Sequence, residues 1–392
     1  MKKKIIILGS TGSIGKSLIK IIKKDKNNFE ILLLTTNSNY KELLKQVNFF
    51  KVKNLIITNK KSFIITQKIL ENKKINIYND FNSLDVILNK KKADYVMSSI
   101  SGFAGLNPTL KIIKFSKKIA IANKESIICG WKLIKNELKR YKTKFIPVDS
   151  EHFSIWSLIG NSKNINIEKV FITASGGPFK NLNLNKFSSI LPSDALKHPK
   201  WSMGKKISID SATMMNKVFE IIEAKKIFNL NYSQLKILIH PHSYVHAILK
   251  FTNGLTKILT HDTDMKFPIF NSIYSKHERI IKSNKLNLSI LNNLNFSTVD
   301  YKRFPAVRLI EQLPINDSLF ETVLVSANDA LVDLFLKRKI KFIDISKQLL
   351  ELAKKKEFLK YKSKSPRNIN EINKLVEYVN SKVYSINLQK SI

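Results

Sequence analysis

Lys4-Ile5-Ile6-Ile7-Leu8-Gly9-Ser10-Thr11-Gly12-Ser13-Ile14-Gly15 decides the fold. The run Lys4–Leu8 reads as a short buried strand, and a helical pattern over Gly15–Lys24 follows it. Between them the glycines are spaced Gly-x-x-Gly-x-x-Gly, not the commoner Gly-x-Gly-x-x-Gly. Glycines at a strand-to-helix turn let the backbone bend tightly and approach a pyrophosphate, while the helix N-terminus offers free N–H groups and a favourable dipole. Thr11, Gly12, Ser13 and Ile14 are therefore candidate dinucleotide contacts, with a Gly-rich turn that binds nothing as the alternative. The same alternation continues outward. Candidate strands at Glu30–Thr35, Asn54–Ile57, Tyr95–Ser98, Ile119–Ala122 and Lys144–Val148 are separated by helical patterns such as Tyr40–Phe49. Alternating strands and helices predict an α/β domain, a Rossmann-like parallel sheet covered on both faces, over residues 1–149.

At the end of the second strand a dehydrogenase for the non-phosphorylated cofactor often places an acidic residue on the ribose. Here the segment is Thr35-Thr36-Asn37-Ser38-Asn39-Tyr40-Lys41, without an acid, which leans toward the phosphorylated cofactor.

The pattern changes after residue 149. A Gly/Pro loop, Ser175-Gly176-Gly177-Pro178, precedes a long irregular stretch, then a helix from about Ala212 to Phe228 and extended segments at Leu235–Ile239 and Val245–Phe251. These predict a central α+β domain over 150–285, with a flexible lid at about 175–205. An Asn-rich connection over 286–305 leads to a C-terminal helical bundle over 306–392, where Leu319–Leu336 and Ile345–Lys356 carry apolar residues at helical spacing.

Val148-Asp149-Ser150-Glu151-His152 follows a strand. In extended chain, residues i and i+2 share a face about 6.5–7 Å apart, so Asp149 and Glu151 would repel unless a cation sat between them. A hard divalent ion that prefers oxygen ligands would supply that charge; a solvated acidic loop is the alternative. Further along, Ser211 reads as an N-cap for the helix that carries Asn216, Lys217 and Glu220 on one side. Lysine, Asn and Ser together suit a phosphate, and Glu220 would complete a metal shell. A solvated helix face with ordinary ion pairs is the competing reading. Ser175–Pro178 and His198-Pro199-Lys200-Trp201-Ser202-Met203-Gly204 bracket a loop of about twenty residues, a length that is uncommon without a function. Trp201 in that loop either covers a substrate or packs on the core. His240, His242 and His246 invite a zinc reading, but no cysteine completes the set.

Composition narrows the classes. Net charge is +38, from 68 Lys+Arg against 30 Asp+Glu, and a large excess of this kind can mark a nucleic-acid partner. The lysines are spread along the whole chain with no Arg-rich segment, so no nucleic-acid partner is expected. The single cysteine, Cys129, excludes an internal disulfide framework and fits a reducing cytoplasm. Met1-Lys2-Lys3-Lys4 and the apolar residues after it mimic a signal peptide, but the apolar run is too short, and no other run approaches the roughly 18 residues needed to span a bilayer. A cytoplasmic protein without membrane segments is expected.

Taken together, these segments closely resemble the 1-deoxy-D-xylulose 5-phosphate reductoisomerase family. The matching pieces are Gly9–Gly15, Ala122-Asn123-Lys124-Glu125-Ser126, Val148–His152, Ala174–Phe179, His198-Pro199 with Trp201–Gly204, and Lys206–Ser208 with Asp210–Lys217 and Glu220. The resemblance implies a homodimer with an N-terminal NADPH domain, a central catalytic domain and a C-terminal helical bundle. It also implies an enzyme that isomerises a phosphorylated deoxyxylulose by breaking and remaking a carbon–carbon bond, then reduces the resulting aldehyde with NADPH. By motif, Asp149, Glu151 and Glu220 would hold Mg²⁺, Mn²⁺ or Co²⁺. Lys124 and Ser150 would contact the substrate backbone, and Ser175, Ser211, Asn216 and Lys217 its phosphate. His198 and Trp201 would close the lid; Thr11–Ile14, Asn37–Asn39, Asn123, Glu125 and Gly204 would meet the cofactor. The chain departs from the family pattern in several places. Asn37-Ser38-Asn39 stands where relatives commonly carry Gly-Lys-Asn, with Lys41 as a possible substitute; Lys200 replaces Asn, Phe153 replaces Asn and His242 replaces Gln. A semialdehyde dehydrogenase would need a catalytic thiol, for which Cys129 is poorly placed, and a basic binding scaffold would show no NADPH turnover.

Overall fold

The computed structural model describes residues 1–89, 91–160, 166–201, 203–274 and 279–389. They form two compact units. The first comprises Met1–Ile127, Trp131–Asp149 and Met265–Ile281; the second comprises Ile128–Gly130, Ser150–Asp264 and Lys282–Ile392.

The first unit is built on seven strands: β1 (Lys3–Leu8), β2 (Phe29–Thr36), β3 (Asn54–Ile57), β4 (Asn76–Tyr78), β5 (Tyr95–Ser98), β6 (Lys118–Ile121) and β7 (Lys144–Pro147). They are ordered β4-β3-β2-β1-β5-β6-β7, and every pairing is parallel. The chain runs outward from β1 to β4, then returns to the other side of β1 with β5. The strand order therefore reverses between β1 and β5, the position where doubly wound sheets bind ligands. Ile5, Ile6, Ile7 and Leu8 are all fully buried, as expected of a central strand covered on both faces. The three-residue edge strand β4 is too short to show a periodic signal, and the sequence reading passed over it. The helix Lys266–Ile273 belongs to this unit although the sequence reading set it inside 150–285. Ile269, Phe270, Ile273 and Tyr274 share a core cluster with Leu18, Ile19 and Ile22, so burial of its apolar face decides where the helix sits.

The second unit holds a four-stranded mixed sheet, β8 (Ile167–Ala174), β9 (Leu235–Ile239), β10 (Val245–Phe251) and β11 (Thr256–Thr260), ordered β11-β10-β8-β9. Strand β10 is antiparallel to both β8 and β11, while β8 and β9 are parallel. Alternate residues Val170 and Ile172 of β8 and Ala247 and Leu249 of β10 join Ile155, Ile221 and Ala224, from the helices Ser150–Ile159 and Met215–Phe228, in one core. Two catalytic candidates, Glu151 and Glu220, ride on those two helices. At the C-terminal end, Phe320–Leu336 is a central helix packed against Phe342–Leu352 and Ile369–Gln389. Within 286–305, Leu288–Asn292 is one short helix and Ser297 bridges to Ile239. No helix among the described residues is long and apolar enough to cross a membrane.

Candidate active site

In the first unit the Gly-rich turn is held by close backbone approach. Gly9 has φ +79°, and a Cβ there would lie 2.8 Å from Ser99 O; one on Gly15 would lie 2.4 Å from Gly9 O. Both positions therefore require glycine. Gly12 N-caps the helix Ser13–Lys23 and has no side chain with which to cap it, leaving the N–H groups of the first turn for another acceptor. Thr11 Oγ1 lies 2.6 Å from Thr36 Oγ1, and Ser10 N–H donates to Thr35 O at 3.0 Å, tying the turn to the end of β2.

Beyond β2, Asn37, Ser38 and Asn39 are exposed, and Asn39 Oδ1 caps the helix Tyr40–Phe50 by accepting from Glu42 N–H. Asn123 is buried and its side chain is fully engaged. Oδ1 accepts from Ser126 N–H at 2.5 Å, while Nδ2 donates to Ile100 O at 2.7 Å, Gly102 O at 2.9 Å and Glu125 Oε2 at 3.1 Å. It shapes the 100–102 turn beside the switch point. Next in the chain, Lys124 Nζ pairs with Asp149 Oδ2 at 2.5 Å.

The second unit carries a compact charged cluster. Ser150 opens the helix Ser150–Ile159, so Glu151 stands in a first helical turn and not in the extended chain that the sequence reading assumed. Lys217 Nζ lies 2.5 Å from Glu151 Oε1 and 2.5 Å from Glu220 Oε2. Asn216 Nδ2 donates to Glu220 Oε1 at 2.5 Å, and Ser150 Oγ donates to Glu151 Oε2. Glu151 and Glu220 are only 8% and 1% exposed, so two carboxylates in low dielectric depend on a cation between them. Burial disfavours the Lys217 ammonium, but the Glu151 and Glu220 carboxylates outweigh it and hold its pKa above the usual lysine range. Among the described residues, Asp149, Glu151 and Glu220 are the group whose ligand atoms could hold a metal, each oxygen within 4.8 Å of the others. Three hard oxygen donors in this arrangement fit Mg²⁺ or Mn²⁺.

Beside the cluster, His198 Nδ1 accepts from Trp201 N–H at 2.9 Å and Lys200 N–H at 3.1 Å. The ring proton therefore sits on Nε2, which faces Ser175 Oγ at 3.2 Å. Burial, and then the nearby Lys217 charge, lower the His198 pKa to about 4, so the ring is neutral near pH 7. Ser175 Oγ accepts from His198 and also from Gly177 N–H at 3.1 Å, which leaves its own proton for an anionic oxygen. The Trp201 ring meets His246 edge-on, with centroids 6.2 Å apart.

Three family profiles match the chain. That for 1-deoxy-D-xylulose 5-phosphate reductoisomerase covers residues 5–130, and those for its C-terminal domains cover 145–228 and 261–381. A 1-deoxy-D-xylulose 5-phosphate reductoisomerase of Pelagibacter ubique (strain HTCC1062) is 62% identical over 98% of this chain and 100% of its own length. The chain belongs to the 1-deoxy-D-xylulose 5-phosphate reductoisomerase family. Among solved structures, the reductoisomerase from Zymomonas mobilis in complex with NADPH superposes with a TM-score of 0.87 at 28% identity, covering 99% of both chains. A DOX-P reductoisomerase in complex with NADPH, fosmidomycin and magnesium gives 0.86 at 30% identity, covering 99% of this chain and 98% of that one.

Within this reductoisomerase, several readings from sequence change. Ser211 is not an N-cap: it lies inside the helix Lys205–Ala212, and Met214, in the left-handed region at φ 62°, separates that helix from Met215–Phe228. Gly204 caps the first of these helices. The segment 175–205 holds more order than a bare loop, with a 3-10 turn at Leu184–Ser189 and a short helix at Pro192–Ala195. Phe179 and Phe187 stack edge-on with Phe342, and Arg303 Nη1 donates to Phe179 O at 2.8 Å. Ser202 lies outside the described residues. Two of the three histidines of the zinc reading are engaged elsewhere. His240 Nδ1 donates to Asn295 O and the ring stacks on Phe296, while His246 Nε2 donates to His261 O. Cys129 is buried in the helix Lys124–Tyr141. Sequence reading quoted Asp210 within the 210–217 match but gave it no role; it is buried and accepts from Asn328 Nδ2 at 2.7 Å, with Lys206 Nζ 3.2 Å away. That pair anchors the helix that carries Ser211. It spans 118 residues, so no local pattern betrays it.

Proposed function

We propose that Asp149, Glu151 and Glu220 hold the divalent cation of the reaction and that Ser175, Ser211, Asn216 and Lys217 receive the substrate phosphate. The reaction is the NADPH- and divalent-metal-dependent isomerisation and reduction of 1-deoxy-D-xylulose 5-phosphate to 2-C-methyl-D-erythritol 4-phosphate, in the non-mevalonate isoprenoid pathway. Rearrangement leaves the molecular formula unchanged; reduction then adds one hydride from NADPH and one proton. The observation that supports the site assignment is the convergence of Asp149, Glu151 and Glu220, whose ligand oxygens lie within 4.8 Å of one another, beside the Lys217 ammonium.

Bound there, a divalent cation would supply Lewis acidity toward the substrate's oxygens. The residues around it do the positioning. Asn216 orients Glu220, Ser150 orients Glu151, and Lys124 steadies Asp149 before turning to the substrate backbone. Neutral His198 keeps the Ser175 proton directed to the phosphate, and with Trp201 it excludes water beneath the lid at about 175–205. In the nucleotide domain the open N–H groups after Gly12 receive the pyrophosphate beside Thr11, Ser13 and Ile14. Asn37–Asn39 meet the ribose, and Asn123 and Glu125 shape the neighbouring turn. The enzyme acts as a homodimer in the cytoplasm.

The test is NADPH consumption by purified protein. Turnover requires both deoxyxylulose phosphate and Mn²⁺ or Mg²⁺, and EDTA abolishes it. Undiminished activity in Glu151→Gln or Glu220→Gln would remove the metal assignment, whereas turnover without any metal would remove the mechanism.

A further inference from the structure

Strand β2 runs into Asn37-Ser38-Asn39, where the ribose of a bound dinucleotide is read, yet this tripeptide carries no cation for a 2′-phosphate. The loop is tied to the next strand-to-helix turn at three points. Asn59 N–H donates to Asn37 O at 3.3 Å, Asn37 Nδ2 to Thr58 Oγ1 at 2.9 Å, and Ser62 Oγ to Ser38 O at 3.0 Å. The turn so joined opens the helix Lys60–Ile69, whose first two residues, Lys60 and Lys61, are exposed. Cα–Cβ bonds in a helix tilt toward its N-terminus, which here is the side of the Asn37–Asn39 loop.

Lys41 is the competing cation. It stands in the first turn of the helix Tyr40–Phe50, but Glu42 shares that turn and cancels its charge for any anion more than a few ångströms away. The first turn of Lys60–Ile69 has no acidic residue, so its two lysines add. We propose that Lys60 and Lys61 supply the positive charge that selects the 2′-phosphate of NADPH, from the turn after β3 and not from the end of β2. This rests on the reading that the Gly9–Gly15 turn binds the cofactor.

The experiment is direct titration of NADPH and NADH by their fluorescence, on the full-length protein without substrate. It compares wild type with Lys41→Gln and with the double variant Lys60→Gln/Lys61→Gln. The double variant, which loses both charges, raises the NADPH Kd by at least about tenfold and leaves the NADH Kd within about twofold. Lys41→Gln changes neither. An unchanged NADPH Kd in the double variant, equal weakening of both cofactors, or loss of NADPH selectivity in Lys41→Gln overturns the assignment. Wild-type protein that binds neither cofactor overturns the cofactor-site reading itself, and circular dichroism of each variant separates misfolding from lost contact.

Discussion

Lys217 Nζ lies 2.5 Å from Glu151 Oε1 although 66 residues separate them, and the same ammonium lies 2.5 Å from Glu220 Oε2. One lysine thus bridges two buried carboxylates and offsets one of their two charges. Removing it takes the bridging cation from both buried acids, which typically costs about 3 kcal/mol. Lys217→Met is therefore expected to unfold at lower urea concentration than wild type, with saturating Mn²⁺ restoring most of the loss. Urea denaturation with and without Mn²⁺ measures this. Equal stability of the two proteins without metal would show that the carboxylates do not need the lysine.

Glu220 accepts from both Asn216 and Lys217, and it is nearly inaccessible to solvent. Its replacement would remove a proposed metal ligand while leaving the nucleotide domain untouched. Glu220→Gln should bind Mn²⁺ more weakly by isothermal titration and lower kcat/KM about a thousandfold, the several kcal/mol that a Lewis acid contributes. NADPH affinity should stay at the wild-type value. A joint loss of metal and NADPH binding would point to misfolding, and intact metal affinity would defeat the ligand assignment.

What the sequence makes legible here is local. Strand-glycine-helix order over Lys4–Gly15 is read from spacing alone, because the physical demand is local: Gly9 and Gly15 must be glycine for steric reasons within a few residues. Asn216, Lys217 and Glu220 are read as one face because three and four residues make one helical turn. Pairings across long separations leave no such trace. Asp210 with Asn328, and Lys226 with Asp317 and Glu321, are invisible until the chain is folded. Boundary chemistry misleads as well. Ser211 looks like a cap because Ser commonly caps helices, yet the break is made by Met214 in a left-handed conformation that few would assign to methionine. The helix Lys266–Ile273 is misplaced for a related reason, since its sequence position says nothing about which core its apolar face joins.

Gly15 allows no side chain. Its Cβ would sit 2.4 Å from Gly9 O and 2.6 Å from Ser10 Cα, both backbone atoms that cannot rotate away. Gly15→Ala must open the turn between β1 and the first helix, at an overpacking cost of about 3 kcal/mol. A lower Tm and weaker NADPH binding by fluorescence titration are expected together. Gly12→Ala makes the contrast, since a Cβ there meets nothing closer than Gly9 O at 3.4 Å. It should keep the Tm near wild type, so any loss of NADPH affinity in that variant reports crowding of the bound cofactor. Matching Tm losses in the two variants would refute the steric account.

His198 carries the pH prediction. Burial first, and the Lys217 charge second, hold its pKa at about 4 against an ordinary 6.5. Between those two values the unfolded chain binds a proton that the folded ring refuses, so stability falls as pH drops through that window. The contribution is complete above about pH 6.5, declines toward pH 4, and is constant below it. In His198→Gln the decline from this source disappears, which urea denaturation across the window detects as a flatter pH dependence. An NMR titration of the ring should give a midpoint near 4 in wild type and a higher one in Lys217→Met, where the repelling ammonium is gone. A wild-type midpoint near 6.5 would mean that His198 gains a proton freely, and the Nε2–H donation to Ser175 could not then depend on the neutral tautomer described above.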